Sequence, residues 1–95
     1  MENQHQKIKG YRDLSQAEID LMNTIKAKGQ ELQGLIAVTQ AHLAQQNATA
    51  AQAGDGEELD RIEGAQPKRW LAIATTDLQT GLMALTRAVA QPTTF

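Results

Sequence analysis

Apolar positions along the first half of the chain recur at alternating spacings of three and four. Met22, Ile25, Gly29, Leu32, Ile36, Thr39 and Leu43 fall on one seam, with Gly29 and Thr39 as small or polar interruptions. That is a heptad rhythm, the mark of a long helix with one buried stripe. Leu21 and Leu35 lie on a flanking stripe and widen the apolar face. Two local signals mark the start. Ser15 with Glu18 three residues on forms a capping box, and Leu14 with Ile19 forms the matching hydrophobic staple. The pattern predicts a helix over about 15–48.

Beyond it, an alanine-rich stretch closes on Gly54-Asp55-Gly56 and predicts a turn over about 49–56. Asp55 is placed to cap the next helix, and Glu57 and Glu58 suit its first turn, where negative charge meets the helix dipole. A short helix is expected over about 57–64, interrupted by Gly64 and Pro67. Proline is tolerated at the first helical position, so a second long helix is expected from Pro67 to about Ala90, with Pro92 after its end. Its seam reads Trp70 or Leu71, Ala74, Leu78, Gly81 with Leu82, Leu85 and Val89. Ahead of everything lies a polar, basic lead-in with Ile8 and Tyr11 interleaved. A short helix over about 3–9 is expected there, ended by Gly10. The fold class is therefore all-α: one domain over 1–95, with a short N-terminal helix packed on an antiparallel hairpin of two long helices. Two paired helices bury too little apolar surface to stand alone, so a homo-oligomer of closed symmetry is expected.

Composition narrows the chemistry. The chain has 95 residues and no Cys, which excludes disulfides and thiolate metal sites. No apolar run approaches the roughly 20 residues of a membrane helix, and the polar opening is not a secretory signal, so no membrane partner is expected. A formal charge of −2 argues against a binder of DNA or RNA polymers that relies on bulk positive charge. His5 and His42 lie far apart without ligand-spaced partners, so no metal is expected. No nucleophile–base arrangement and no glycine-rich phosphate loop is legible, so neither a catalytic role nor a cofactor is expected. Cations are more suggestive. Tyr11 and Arg12 precede the first long helix, Lys26 and Lys28 lie along it, and Pro67-Lys68-Arg69-Trp70 opens the last one. Rings for stacking and cations for phosphates are the minimum needed to hold a nucleotide. The same residues also read as solvated lysines and packed rings, and periodicity does not choose between the two.

Longer blocks do choose. The opening Glu2-Asn3-Gln4-His5-Gln6-Lys7-Ile8-Lys9-Gly10-Tyr11-Arg12-Asp13-Leu14 closely resembles the small phage anti-CBASS sponge family, and so do Pro67 to Ile73, Asp77 to Gly81 and Arg87 to Pro92. That family blocks cyclic-oligonucleotide immune signalling in bacteria. The alanine-rich turn diverges from it. The resemblance implies a homohexamer, D3 in symmetry, that holds cyclic dinucleotides such as cyclic GMP–AMP, and cyclic trinucleotides in separate pockets, without cleaving them. It would act in the cytoplasm of the infected host. Tyr11 and Lys26 match the family's dinucleotide-site tyrosine and lysine, one stacking on a base and the other meeting a phosphate. Arg69, with Thr76 and Trp70, resembles the trinucleotide site. Lys28 is a further candidate there whose family role does not align; it adds charge to the pocket or faces water. A helical adaptor for a host or phage protein is the competing expectation, and an enzyme cleaving the same nucleotides is the weakest.

Overall fold

The computed structural model describes residues 12–94, and these are all-α, with no strand among them. The expected helix over about 3–9, and Tyr11, lie outside the described residues. Three helices make up the described chain, in order: α1 (Gln16–Gln52), α2 (Gly56–Ala65) and α3 (Pro67–Ala90).

The start of α1 is fixed by reciprocal hydrogen bonds. The Ser15 N–H donates to Glu18 Oε1 at 2.8 Å, and the Glu18 N–H donates to Ser15 Oγ at 3.2 Å. Two of the four backbone donors that a helix start leaves orphaned are thus satisfied locally. Along α1 the covered positions form an unbroken three-four ladder: Met22, Ile25, Gly29, Leu32, Ile36, Thr39, Leu43, Gln46 and Ala50 are buried or half-buried. Thr39 fits because its hydroxyl donates to the Leu35 carbonyl at 2.8 Å, which leaves its methyl to face inward. Leu21 and Leu35 do not widen that face; both are exposed, Leu35 at 60%.

The helix passes the expected end near residue 48 and reaches Gln52. Alanine is the best helix former, so an alanine-rich stretch continues a helix until something stops it. Gly54 does so, with φ at +65°, a conformation that costs glycine nothing. Its N–H donates to the Ala51 carbonyl at 3.1 Å and the Asp55 N–H to the Ala50 carbonyl at 3.0 Å. Together these make a Schellman cap. Asp55 then caps α2, accepting from the Glu58 N–H at 3.0 Å.

Gly64 does not interrupt α2; it is helical, and the break falls at Gln66 instead. The right-handed helical region is disfavoured for the residue before a proline, and Pro67 has no N–H with which to continue α2. Gln66 adopts the left-handed conformation, φ 51° and ψ 53°, and its N–H reaches the Ile62 and Glu63 carbonyls. In α3 the half-buried stripe is Leu71, Thr75, Leu78, Leu82, Thr86 and Val89. The expected seam positions Trp70, Ala74, Gly81 and Leu85 are exposed. Threonine takes their place because Thr75 and Thr86 return their hydroxyls to the carbonyls of Leu71 and Leu82. Each then presents little more than a methyl group to its neighbours.

The described chain divides into two units. In the first, residues 12–30 and 79–94, the opening of α1 runs antiparallel to the second half of α3. The Arg12 guanidinium pairs with the Glu18 carboxylate and also donates to the Val89 carbonyl at 2.8 Å, which ties the chain before α1 to the end of α3. Farther along, a Cβ placed on Gly29 would stand 3.4 Å from Leu82 Cδ1. That distance is ordinary contact for a methyl, and a bulky side chain would have to displace Leu82 or fill the hollow beside it. Gly29→Ala is therefore expected to stabilise the fold, by at most about 1 kcal/mol, the mid-helix difference between the two residues. Gly29→Leu is expected to destabilise it, and the opposite signs are read from paired thermal melts. In the second unit, residues 31–78, the rest of α1, α2 and the first half of α3 come together around buried Ala50 and Ile62.

The Arg12 clamp also sets an acid limit. Hydrogen bonding from Arg12, then from the Ser15 backbone, lowers the Glu18 carboxyl to about 2. A carboxyl lowered by folding contributes stability above its unfolded pKa, near 4.3, and loses it as pH falls towards the folded value. Thermal midpoints of the native chain are expected to fall between about pH 4.3 and 2 by more than those of Glu18→Gln, which carries no proton-linked group there.

Candidate functional site

Lys26 follows buried Ile25 on α1 and is itself exposed. It borders a concavity of about 370 Å³ lined by Met22, Asn23, Ile25, Gly29, Leu82 and Thr86. The floor is apolar, and the absence of a side chain at Gly29 helps to leave the hollow open. The polar groups at its rim are the Lys26 ammonium and the Asn23 carboxamide. Thr86 is already engaged with the Leu82 carbonyl at 2.9 Å. A positive point charge beside an apolar wall suits a flat, anionic ligand. Asn23 was not anticipated, although its place three residues before Lys26 puts it on the same helical face. The partner expected for Lys26, Tyr11, lies outside the described residues.

A second concavity, of about 320 Å³, lies on α3 and is lined by Arg69, Ala72, Ile73, Thr76 and Asp77. These positions recur at spacings of three and four, which puts them along one helical face. Two of the expected residues, Arg69 and Thr76, thus share a hollow. Trp70 stands next to it. The Arg69 guanidinium lies 5.4 Å from the centre of the Trp70 ring, within cation–π range. With 59% of its surface exposed, Trp70 is not a core residue. Lys28 belongs to the other unit and lines neither hollow. Asp77 is the residue that sequence reasoning missed; a carboxylate beside an expected anion site did not invite attention.

A third hollow, lined by His42, Asp55, Glu58 and Arg61 among others, carries an ion pair between Arg61 and Glu58. Among the described residues no group of three or more His, Asp or Glu is placed to hold a metal ion, and no helix is long and apolar enough to cross a membrane.

The model of the family described as Acb2/Tad1, hairpin domain, matches residues 3–90. The chain belongs to that family. One relative, Anti-CBASS protein 2 of Pseudomonas phage JBD67, is 48% identical over 105 aligned positions that cover 97% of each chain. The match reaches the lead-in before Arg12 as well as both long helices. Both hollows of this Acb2/Tad1 member therefore lie inside the matched region, at Met22 to Gly29 with Leu82 and Thr86, and at Arg69 to Asp77.

Proposed function

We propose that this chain sequesters cyclic dinucleotide and cyclic trinucleotide messengers intact, and so antagonises CBASS defence in the cytoplasm of an infected bacterium. The observation that carries the reading is near-full-length kinship with a phage protein named for opposing CBASS. The two hollows support it chemically, since each combines an apolar floor with a cation at its rim.

The reading assigns cyclic dinucleotides to Tyr11 and Lys26, and cyclic trinucleotides to Arg69, Trp70 and Thr76. It takes the working form to be a D3 homohexamer. A dinucleotide ring has approximate two-fold symmetry, and a two-fold axis presents Tyr11 and Lys26 twice. A trinucleotide ring suits a three-fold axis carrying three copies of Arg69. Gathering cations at axes lets a chain of net charge −2 hold polyanions. Assembly would also cover apolar side chains that the single chain leaves open, among them Val38 at 68% exposure and Met83 at 72%.

Those same side chains support a second reading, a helical adaptor whose apolar faces meet another protein. One experiment decides. The protein is incubated with cyclic GMP–AMP, freed of unbound nucleotide and heat-denatured, and the released nucleotide is analysed. Recovery of intact ligand is the expected result. A linear product would make the protein an enzyme, and no retention would leave the adaptor.

A further inference from the structure

The hollow on α3 has an unexplained polarity. A pocket built only for phosphates has no use for a carboxylate, yet Asp77 lines this one together with Arg69. Among the described residues the Asp77 side chain forms no ion pair or hydrogen bond. Position explains the combination. Arg69 and Asp77 stand eight residues apart on one helix, about 12 Å along its axis. Between them lie Ala72 and Ile73, an apolar strip, and Thr76 adjoins the acidic end. The face thus runs from cation through apolar floor to acceptor. One nucleotide unit has the same order: an anionic phosphate, a flat base, and a polar base edge.

We infer that Asp77 is a specificity-determining residue that reads the Watson–Crick edge of one base and prefers guanine to adenine. The inference rests on the trinucleotide reading of this face. Guanine offers two adjacent donors on that edge, N1–H and the exocyclic amine, and a carboxylate offers two adjacent acceptors. Adenine offers one donor and one acceptor, so a carboxylate meets its N1 lone pair with repulsion. Apposed acceptors of this kind discriminate as strongly as a good pair attracts.

The test is an exchange of preference, which misfolding does not imitate. Asparagine is nearly the same shape as aspartate but carries one donor and one acceptor, the pattern that adenine matches. The native chain, Asp77→Asn and Asp77→Ala are titrated by calorimetry with cyclic tri-adenylate and with a ring of two adenylates and one guanylate. The native chain is expected to favour the guanylate ring. Asp77→Asn is expected to move the ratio of the two affinities towards tri-adenylate by at least about tenfold, the size of one good bidentate contact. Asp77→Ala is expected to bring the ratio near one. A ratio that stays the same in all three proteins, with tight binding throughout, overturns the role of Asp77 and leaves the trinucleotide site standing. A native chain that binds cyclic GMP–AMP but neither trinucleotide overturns both.

Discussion

Lys26→Ala is expected to weaken cyclic GMP–AMP binding at least tenfold and to leave the assembly intact. The side chain of Lys26 is exposed and its neighbour Ile25 does the packing, so truncation removes a charge from the rim of the hollow and little from the core. Removing one member of a desolvated charge pair typically costs about 2–5 kcal/mol, and about 1.4 kcal/mol already makes tenfold. A two-fold axis would repeat the loss on each half of the ligand. Tyr11→Ala is expected to act in the same direction, because stacking a base on a ring contributes about 1–3 kcal/mol. Calorimetry reads the affinity and light scattering reads the oligomer. Unchanged affinity would remove Lys26 from the site. Weakened affinity with a dissociated oligomer would give Lys26 a structural role instead.

The placement of Lys26 depends on how α1 is read, and α1 was legible where its signals are local. Ser15 and Glu18 satisfy each other within one turn, so nothing distant needed to be known. The heptad ladder extends through Gln46 and Ala50 because hydrophobic spacing is a property of the helix itself. The far end was not legible for the same kind of reason. Residues 49–52 read as a turn from low complexity, but alanine favours the helix, and only Gly54 supplies the left-handed residue that a Schellman cap requires. At the α2–α3 junction, proline gave the break to within a residue. A glutamine at φ 51° is the part that no propensity anticipates, because a non-glycine residue seldom adopts it. In α3 Leu71, Leu78, Leu82 and Val89 of the expected seam are half-buried, and the error lies at the positions between them. Alanines and a glycine alternate with threonines there, and a rule that treats threonine as polar picks the wrong side. The hydroxyls of Thr75 and Thr86 turn back to the helix, which makes them suitable for the half-buried face.

The candidate sites were less legible than the helices. Spacing alone left Lys26, Lys28, Arg69 and Trp70 undecided between solvated face and ligand contact, and their assignment came from the family resemblance. A site shared between copies, as proposed here, would have no pattern within one chain, because symmetry would bring its parts together. What one chain does contain is the helical neighbourhood of each part. Asn23 beside Lys26, and Asp77 two turns beyond Arg69, were available from periodicity once those cations had been chosen.

Arg69→Ala is expected to lower cyclic trinucleotide affinity at least tenfold and to change cyclic dinucleotide affinity by less than about twofold. The two hollows share no lining residue, so truncating Arg69 removes nothing from the hollow that Lys26 borders. The guanidinium lies over Trp70, and in the proposed site it would also meet the phosphate. Lysine replaces the charge but neither the planar fork nor the stacking, so Arg69→Lys is expected to recover only part of the affinity. Trp70 is the only tryptophan in the chain, which makes its fluorescence a local reporter. Trinucleotide titration is expected to change that emission in the native protein, while dinucleotide titration leaves it flat. Equal losses for both ligands in Arg69→Ala would contradict two separate pockets. An emission change with the dinucleotide alone would place that ligand, rather than the trinucleotide, against Trp70.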